Sequence, residues 1–303
     1  MNIVITGSSG FVGQNLLHYL KDYQVDCITR KQLSNPNVEQ LNDSEAVIHL
    51  AGKAHDLKKT SNPEEYYQVN YELTKKLYDA FLKSDAKKFI FISSVKASAD
   101  SLTDILTEEH LPNPQTDYGK SKLMAEQYIQ SQKLPEGKLY YILRPCMIHG
   151  PGNKGNLNLL YKFVQKGIPY PLAAFENKRS FLSVENLCFV IEQLLENKVT
   201  SGVYNVADDE ALSTTQVVEI LAQASDKKTK LWKISPVLIK SFAKIGDLLK
   251  LPLNSERLQK LTESYVVSNA KIKAVLGAEF PKSTVEGLVV TAKSFDTSSS
   301  PQP

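Results

Sequence analysis

Residues 2–6, Asn-Ile-Val-Ile-Thr, form an apolar, largely β-branched run that stops at a glycine, and the apolar residues at 12, 16, 17 and 20 repeat at helical spacing. Between them lies Gly7-Ser8-Ser9-Gly10-Phe11-Val12-Gly13. A buried strand that turns on glycines straight into a helix is the opening of a βαβ unit, so the chain is committed to a parallel sheet with crossover helices. The three glycines serve different needs. Gly7 allows the tight turn, Gly10 allows close approach of the backbone to a pyrophosphate, and Gly13 allows contact between helix and strand. The helix N-terminus then presents N–H groups and a positive dipole end to phosphate. The chemistry implied is dinucleotide binding.

The rest of the first half continues the alternation. Strands are predicted at 25–29, 46–50, 89–93 and 140–143, and helices at 11–21, 63–84 and 115–133. Beyond Arg144 the pattern loosens. A loop at 150–153 is followed by predicted helices at 156–166, 184–196, 214–224 and 236–250, a short strand at 203–206, and closing segments at 268–276 and 284–295. The fold class expected is α/β, a Rossmann-type doubly wound parallel sheet with a smaller, mostly helical C-terminal substrate lobe. Residues 1–143, with 183–206 returning to them, form the dinucleotide-binding domain, and 144–182 with 207–296 form the substrate lobe. Residues 297–303 read as a disordered tail. The stretch 31–45 is short and shows no clear strand.

Composition narrows the function. With 36 basic and 33 acidic residues in 303, the net charge of +3 is too balanced for a nucleic-acid-binding surface, and the pairs Lys87-Lys88 and Lys227-Lys228 read as solvated surface. The three widely spaced cysteines, Cys27, Cys146 and Cys188, suggest neither a disulfide framework nor a metal site. No basic start marks the N-terminus as a signal peptide, and no run reaches the ~18 apolar residues of a membrane span. A reduced, cytoplasmic setting with no membrane or nucleic-acid partner is expected.

The second informative cluster is Tyr118-Gly-Lys-Ser-Lys122, which opens the helix predicted at 115–133. Positions i and i+4 share a helix face, so Tyr118 and Lys122 can meet. A phenol ionises near pH 10, and a nearby ammonium is expected to lower that value and let Tyr118 exchange a proton with a hydroxyl or carbonyl near neutral pH. Ser94 follows the strand at 89–93, at the sheet edge where open parallel sheets bind ligands. Its hydroxyl can hold the reacting oxygen, with Ser93 as the other candidate. At the end of the second strand, where a carboxylate commonly holds the ribose of NAD, stands Arg30, which suits a 2′-phosphate and favours NADP(H) over NAD(H).

With these motifs assembled, the sequence resembles the extended branch of the short-chain dehydrogenase/reductase superfamily, the sugar-nucleotide epimerase/dehydratase family. The resemblance is carried by TGSSGFVG at 6–13, HLAG at 49–52, Val69-Asn70, ISSVK at 92–96, YGKSK at 118–122 and LRPCMIHGPGN at 143–153. RSFLSVENL at 179–187, YNVAD at 204–208 and KIKAVLG at 271–277 extend it. It implies Ser94, Tyr118 and Lys122 as catalytic residues. It places the cofactor against Gly7, Ser9, Gly10, Phe11, Val12, Gly13, Arg30, Leu50, Ala51, Gly52, Asn70, Tyr118, Lys122 and Pro145. For the substrate it implies Arg179 at a diphosphate, Asn156 and Leu157 near the nucleotide, and Lys96 touching substrate or cofactor, or else pointing to water. His55 and Cys146 read as structural. Leu73 stands where relatives often carry glycine, and His149 where they often carry tyrosine.

The family's dehydratases carry an Asp-Glu pair after the catalytic hydroxyl. Here Val95 and Lys96 follow Ser94, so dehydration is set aside. What remains is hydride chemistry at C4 of a UDP-sugar, by a UDP-glucose 4-epimerase-like enzyme or a UDP-4-keto-6-deoxy-N-acetylhexosamine 4-reductase. The alternative is a non-catalytic NADP(H)-sensing protein of the same fold. The resemblance also implies a possible homodimer through the helices at 63–84 and 116–133.

Overall fold

A computed structural model describes residues 1–54, 62–153, 155–249 and 254–297. His55 and the tail beyond residue 297 lie outside the described residues. In chain order the elements are β1 (Asn2–Thr6), α1 (Phe11–Tyr19), β2 (Gln24–Ile28), α2 (Arg30–Leu33), α3 (Glu39–Asn42), β3 (Ala46–His49), α4 (Pro63–Tyr66), α5 (Leu73–Lys83), β4 (Lys88–Ile92), α6 (Asp117–Ser131) and β5 (Leu139–Pro145). There follow β6 (Met147–His149), α7 (Asn156–Gln165), β7 (Phe181–Ser183), α8 (Val184–Glu196), β8 (Gly202–Val206), α9 (Thr214–Ala224), α10 (Pro236–Leu249), α11 (Ser255–Thr262), α12 (Ala270–Leu276) and α13 (Thr284–Thr297).

Six strands form one parallel sheet in the order β2-β1-β3-β4-β5-β8. Successive strand residues point to opposite faces, and the core divides accordingly. Ile3, Ile5, Ile90, Ile92, Tyr141 and Leu143 face α1 and α8, whereas Val4, Val47, Phe89, Phe91 and Ile142 face α5 and α6. Both faces are covered, which is why these strands read as unbroken apolar runs. β2, at the sheet edge, has three exposed residues of five. The stretch 31–45, which shows no strand signal, holds the single turns α2 and α3, and the sheet ends at β2.

The helix predicted at 63–84 is split. A π-helical turn, Tyr67–Glu72, joins α4 to α5. Its wider spacing places Asn70, fully buried, against α6. β6 and β7 form a separate two-stranded sheet, and α7, α9, α10, α11 and α13 gather round a second core built on Leu157, Tyr161, Phe181, Leu212, Leu221, Ile239 and Leu288. Among the described residues, no helix is long and apolar enough to cross a membrane.

His49, at the end of β3, is completely buried. Its Nδ1 lies 2.6 Å from Thr6 Oγ1 and its Nε2 lies 2.9 Å from Thr74 Oγ1. Thr74 donates its proton to the Asn70 carbonyl at 2.8 Å, so His49 Nε2–H must donate to Thr74. Nδ1 is then an acceptor for the Thr6 hydroxyl, which itself accepts from Ala51 N–H at 3.2 Å. Every position is satisfied by the neutral ring alone. Burial, aided by the charge of Lys122, pushes the His49 pKa down to about 3. An unfolded histidine titrates near 6.5, so on acidification the unfolded chain binds this proton first. The contribution is complete above about pH 6.5 and is lost as pH falls toward 3. The expected loss is roughly 1 kcal/mol per pH unit across that window, read by urea unfolding from pH 6 to pH 4. His49→Asn should be less stable at neutral pH and show a shallower slope.

Candidate active site

The first turn of the chain is built as its glycines require. Gly7 has φ +75°, and a Cβ placed there would stand 2.6 Å from Ala51 N. A Cβ on Gly13 would stand 2.4 Å from the Gly7 carbonyl oxygen. Strand, turn and helix are therefore in backbone contact, and only hydrogen atoms fit. Gly10 caps α1 with no side-chain hydrogen bond. Ser9 and Gly10 are exposed above the turn, and Phe11 and Val12, partly buried, begin α1. The strand order changes direction beside this turn, between β1 and β3, where open α/β sheets bind ligands.

Leu50, Ala51 and Gly52 line the same edge. Leu50 N–H donates to the Thr6 carbonyl at 3.1 Å. The space over Gly52 is bounded by Asn70 Oδ1 and Lys122 Nζ, each 3.1 Å from where a Cβ would be. Asn70 accepts from Lys53 N–H at 2.7 Å and donates to Ser121 Oγ at 3.1 Å. Pro145, buried, ends β5 at this edge. Arg30 is exposed at the first position of α2, two residues past the Ile28 that pairs with Thr6. The backbone before it is set by a Thr29–Gln32 capping box.

Tyr118 lies in the first turn of α6, capped by Thr116. Asp100 fixes that end, accepting from Gln115 N–H at 2.6 Å, Thr116 N–H at 3.2 Å and the Thr116 hydroxyl at 3.1 Å. The Tyr66 ring stands edge-on to Tyr118, 6.1 Å between centroids. Ser94 faces Tyr118 and favours ionisation of its hydroxyl, and the Ser94 hydroxyl accepts from Lys96 N–H at 3.2 Å as it caps the short 3-10 turn Val95–Ala97. Ser93 points elsewhere. Its hydroxyl is bonded to Glu126, a buried carboxylate also held by Arg144 through Nε at 3.0 Å and Nη2 at 2.5 Å. The structure therefore brings Ser94, and not Ser93, to the tyrosine.

One electrostatic expectation is corrected. The Lys122 ammonium donates to the Ile92 carbonyl at 2.9 Å, and burial pushes its pKa down to about 8. The pKa of Tyr118 is raised, chiefly by burial, and the group that pulls it down is Ser94. Desolvation outweighs the helix-face pairing on which the expectation rested.

The substrate residues divide. Lys96 does not point to water: its Nζ donates to the Asp100 carbonyl at 2.7 Å and sits 4.2 Å over the Tyr265 ring. Leu157 is a buried member of the second core, so its side chain is occupied by packing. Asn156 begins α7, and its side chain lies outside the described residues. Arg179 is a quarter exposed and tied to the end of α11, donating through Nη1 to the Lys260 carbonyl at 2.7 Å, with Glu263 at 4.0 Å. Cys146 is buried in the main core, and His149 is buried with Nδ1 on the Thr291 hydroxyl at 2.8 Å. Asp100, Tyr66 and Glu126 escape sequence reading. They follow no spacing rule, and only the packed structure brings them to this edge.

A doubly wound sheet with a glycine turn and a Ser-Tyr-Lys cluster at one edge is the arrangement of extended short-chain dehydrogenases/reductases. Residues 3–207 match the NAD dependent epimerase/dehydratase family, and the chain belongs to it. It is 32% identical to a UDP-glucose 4-epimerase of Vibrio cholerae over 97% of this chain and 95% of the relative. It is 30% identical to an N-acetyl-alpha-D-glucosaminyl-diphospho-ditrans,octacis-undecaprenol 4-epimerase of Escherichia coli O157:H7, over 75% and 73% of the two chains. The crystal structure of a UDP-glucuronic acid 4-epimerase from Bacillus cereus in complex with NAD superposes with a TM-score of 0.78 at 20% identity, covering 99% of this chain and 100% of that one.

The role of Asp100 is testable. Asp100→Ala should cost about 1 kcal/mol in urea unfolding, because it strips the α6 N-terminus of its partly buried acceptor. Asp100→Asn, which keeps one carbonyl oxygen, should recover part of that loss.

Proposed function

We propose that this protein is a nicotinamide-dependent 4-epimerase of a UDP-linked sugar. The observation that carries the reading is the Tyr118 side chain, buried in the first turn of α6 beside Ser94 and Lys122 and set at the same sheet edge as the glycine turn. Two relatives at 30% identity or more bear the name 4-epimerase, which supports it. The cradle over Gly7 and Gly13, where any side chain would collide with backbone, fits a pyrophosphate.

A bound nicotinamide would supply the hydride acceptor and donor for the sugar's C4. The other roles fall to the chain. Ser94 holds the C4 oxygen, and Tyr118 takes its proton as the C4 hydrogen departs, leaving a 4-keto sugar. In the reverse half of the cycle Tyr118 would return the proton to the C4 oxygen. Each half-reaction moves one proton and one hydride, so a full cycle restores the starting state. Lys122 and Asn70, which border Gly52, hold the nicotinamide side of the cofactor. Gly10, Phe11 and Val12 offer the start of α1 to phosphate. Arg179, with N–H groups beyond the one spent on Lys260, faces the sugar's diphosphate. Residues 144–182 and 207–296 close the site as a substrate lobe.

The 4-ketoreductase is the second reading, favoured by Arg30. An exposed cation past β2 suits the 2′-phosphate of NADPH, which a reductase consumes each turnover.

Tyr118→Phe should abolish turnover of UDP-sugars while sparing cofactor binding, and Ser94→Ala should lower kcat by on the order of 100-fold. For the epimerase, purified protein should carry nicotinamide, seen by ultraviolet absorbance and mass spectrometry, and should turn over without added NADPH. Stoichiometric NADPH consumption with a 4-keto sugar would instead establish the reductase. Arg30→Asp should weaken NADPH binding more than NADH binding, and equal affinities in the wild type would remove the 2′-phosphate from the argument.

A further inference from the structure

α10 has an apolar face that the fold does not cover. Ile239, Ala243 and Gly246 are buried against the second core. Beside them, Leu238, Phe242, Ile245 and Leu249 are exposed by 55%, 62%, 49% and 62%. Their spacing of four, three and four residues makes one continuous stripe along the helix. Soluble monomers seldom leave such a contiguous patch to water.

The charge around this helix is equally one-sided. Residues 227–249 hold six lysines (227, 228, 230, 233, 240 and 244) and one acid, Asp247. The rest of the chain carries 30 basic and 32 acidic residues, so the net positive charge of the protein resides in this segment. Lys240 and Lys244 lie on the flank of α10 away from the stripe, where their ammonium groups can reach outward past it. Trp232, 53% exposed, stands just before the helix, with its backbone N–H fixed to the Tyr170 carbonyl at 2.8 Å.

We propose that α10 is an interfacial helix that docks the protein onto an anionic phospholipid bilayer, its Leu238–Leu249 stripe in the acyl boundary and its lysines at the headgroups. An apolar stripe flanked by lysines, with an aromatic residue at one end, is the pattern of a helix that lies in the membrane interface. Lying on a bilayer needs no spanning segment, so the missing ~18-residue apolar run does not oppose it. The excess of lysine selects an anionic bilayer over a second copy of this face, which would bring like charges together. α10 packs on α11, whose Lys260 carbonyl holds Arg179, so docking sets the Arg179 side of the second lobe toward the surface. The inference rests on the helix alone and does not depend on the reaction assigned above.

Trp232 is the only tryptophan, so its emission reports directly on the docking edge. Vesicles of phosphatidylcholine with one quarter phosphatidylglycerol should shift that emission to the blue and sediment the protein. Phosphatidylcholine alone, or high salt, should do so at least about tenfold less effectively. Phe242→Asp should lose about tenfold or more in vesicle binding with unchanged circular dichroism, and Lys240→Glu with Lys244→Glu should lose the preference for the anionic lipid. A folded wild type that neither sediments nor shifts its emission with anionic vesicles at low salt would overturn the proposal. So would a dimer that Phe242→Asp converts to monomer without any vesicle effect, because the stripe would then belong to a second copy of the chain.

Discussion

The site depends on a chain of buried hydrogen bonds that starts where β1 ends. Ala51 N–H donates to the Thr6 hydroxyl, Thr6 pairs with His49, His49 with Thr74, and Thr74 donates to the Asn70 carbonyl. Asn70 continues it through its side chain to Ser121, whose hydroxyl donates to the Tyr118 carbonyl at 2.8 Å. The glycine turn, the end of β3, the π-helical turn and the start of α6 are thus joined by groups with almost no access to water. In such surroundings an unmade bond costs its full desolvation. Each member therefore constrains its neighbours, and the neutral state of His49 is part of the construction.

Burial shapes the proton chemistry more than charge pairing does. Tyr118 and Lys122 sit one helical turn apart, yet the lysine points one of its N–H groups at the Ile92 carbonyl and loses part of its basicity to desolvation. The tyrosine is made a weaker acid by its surroundings and a stronger one by Ser94.

The same fold carries a second kind of surface. The edge that carries the glycine turn is lined by backbone and by small polar groups, whereas α10, on the second core, offers aliphatic side chains and lysines to solvent. The basic excess lies in residues 227–249, apart from that edge, so the small net charge conceals a local asymmetry.

Much of this was legible in the chain itself. The parallel sheet followed from apolar runs spaced by helical periods, because a strand buried on both faces has no room for polar residues. The glycine turn and the Tyr-Lys spacing marked the sheet edge where Gly7, Gly52, Tyr118 and Lys122 gather, because those residue types are demanded by local geometry. Other features depend on distance in space and carry no signature along the chain. The choice of Ser94 over Ser93 was decided by Glu126 and Arg144, which claim Ser93 from α6 and β5. The occupation of Lys96 by Asp100 and Tyr265, the burial of Leu157 and the tie between Arg179 and Lys260 arise from how the second lobe folds back. Sequence determined which groups could do the chemistry, because spacing sets what one helix or strand can present. Tertiary structure decided which of them are left to do it, because a hydrogen bond or a packed face taken up elsewhere in the fold is no longer available to a ligand.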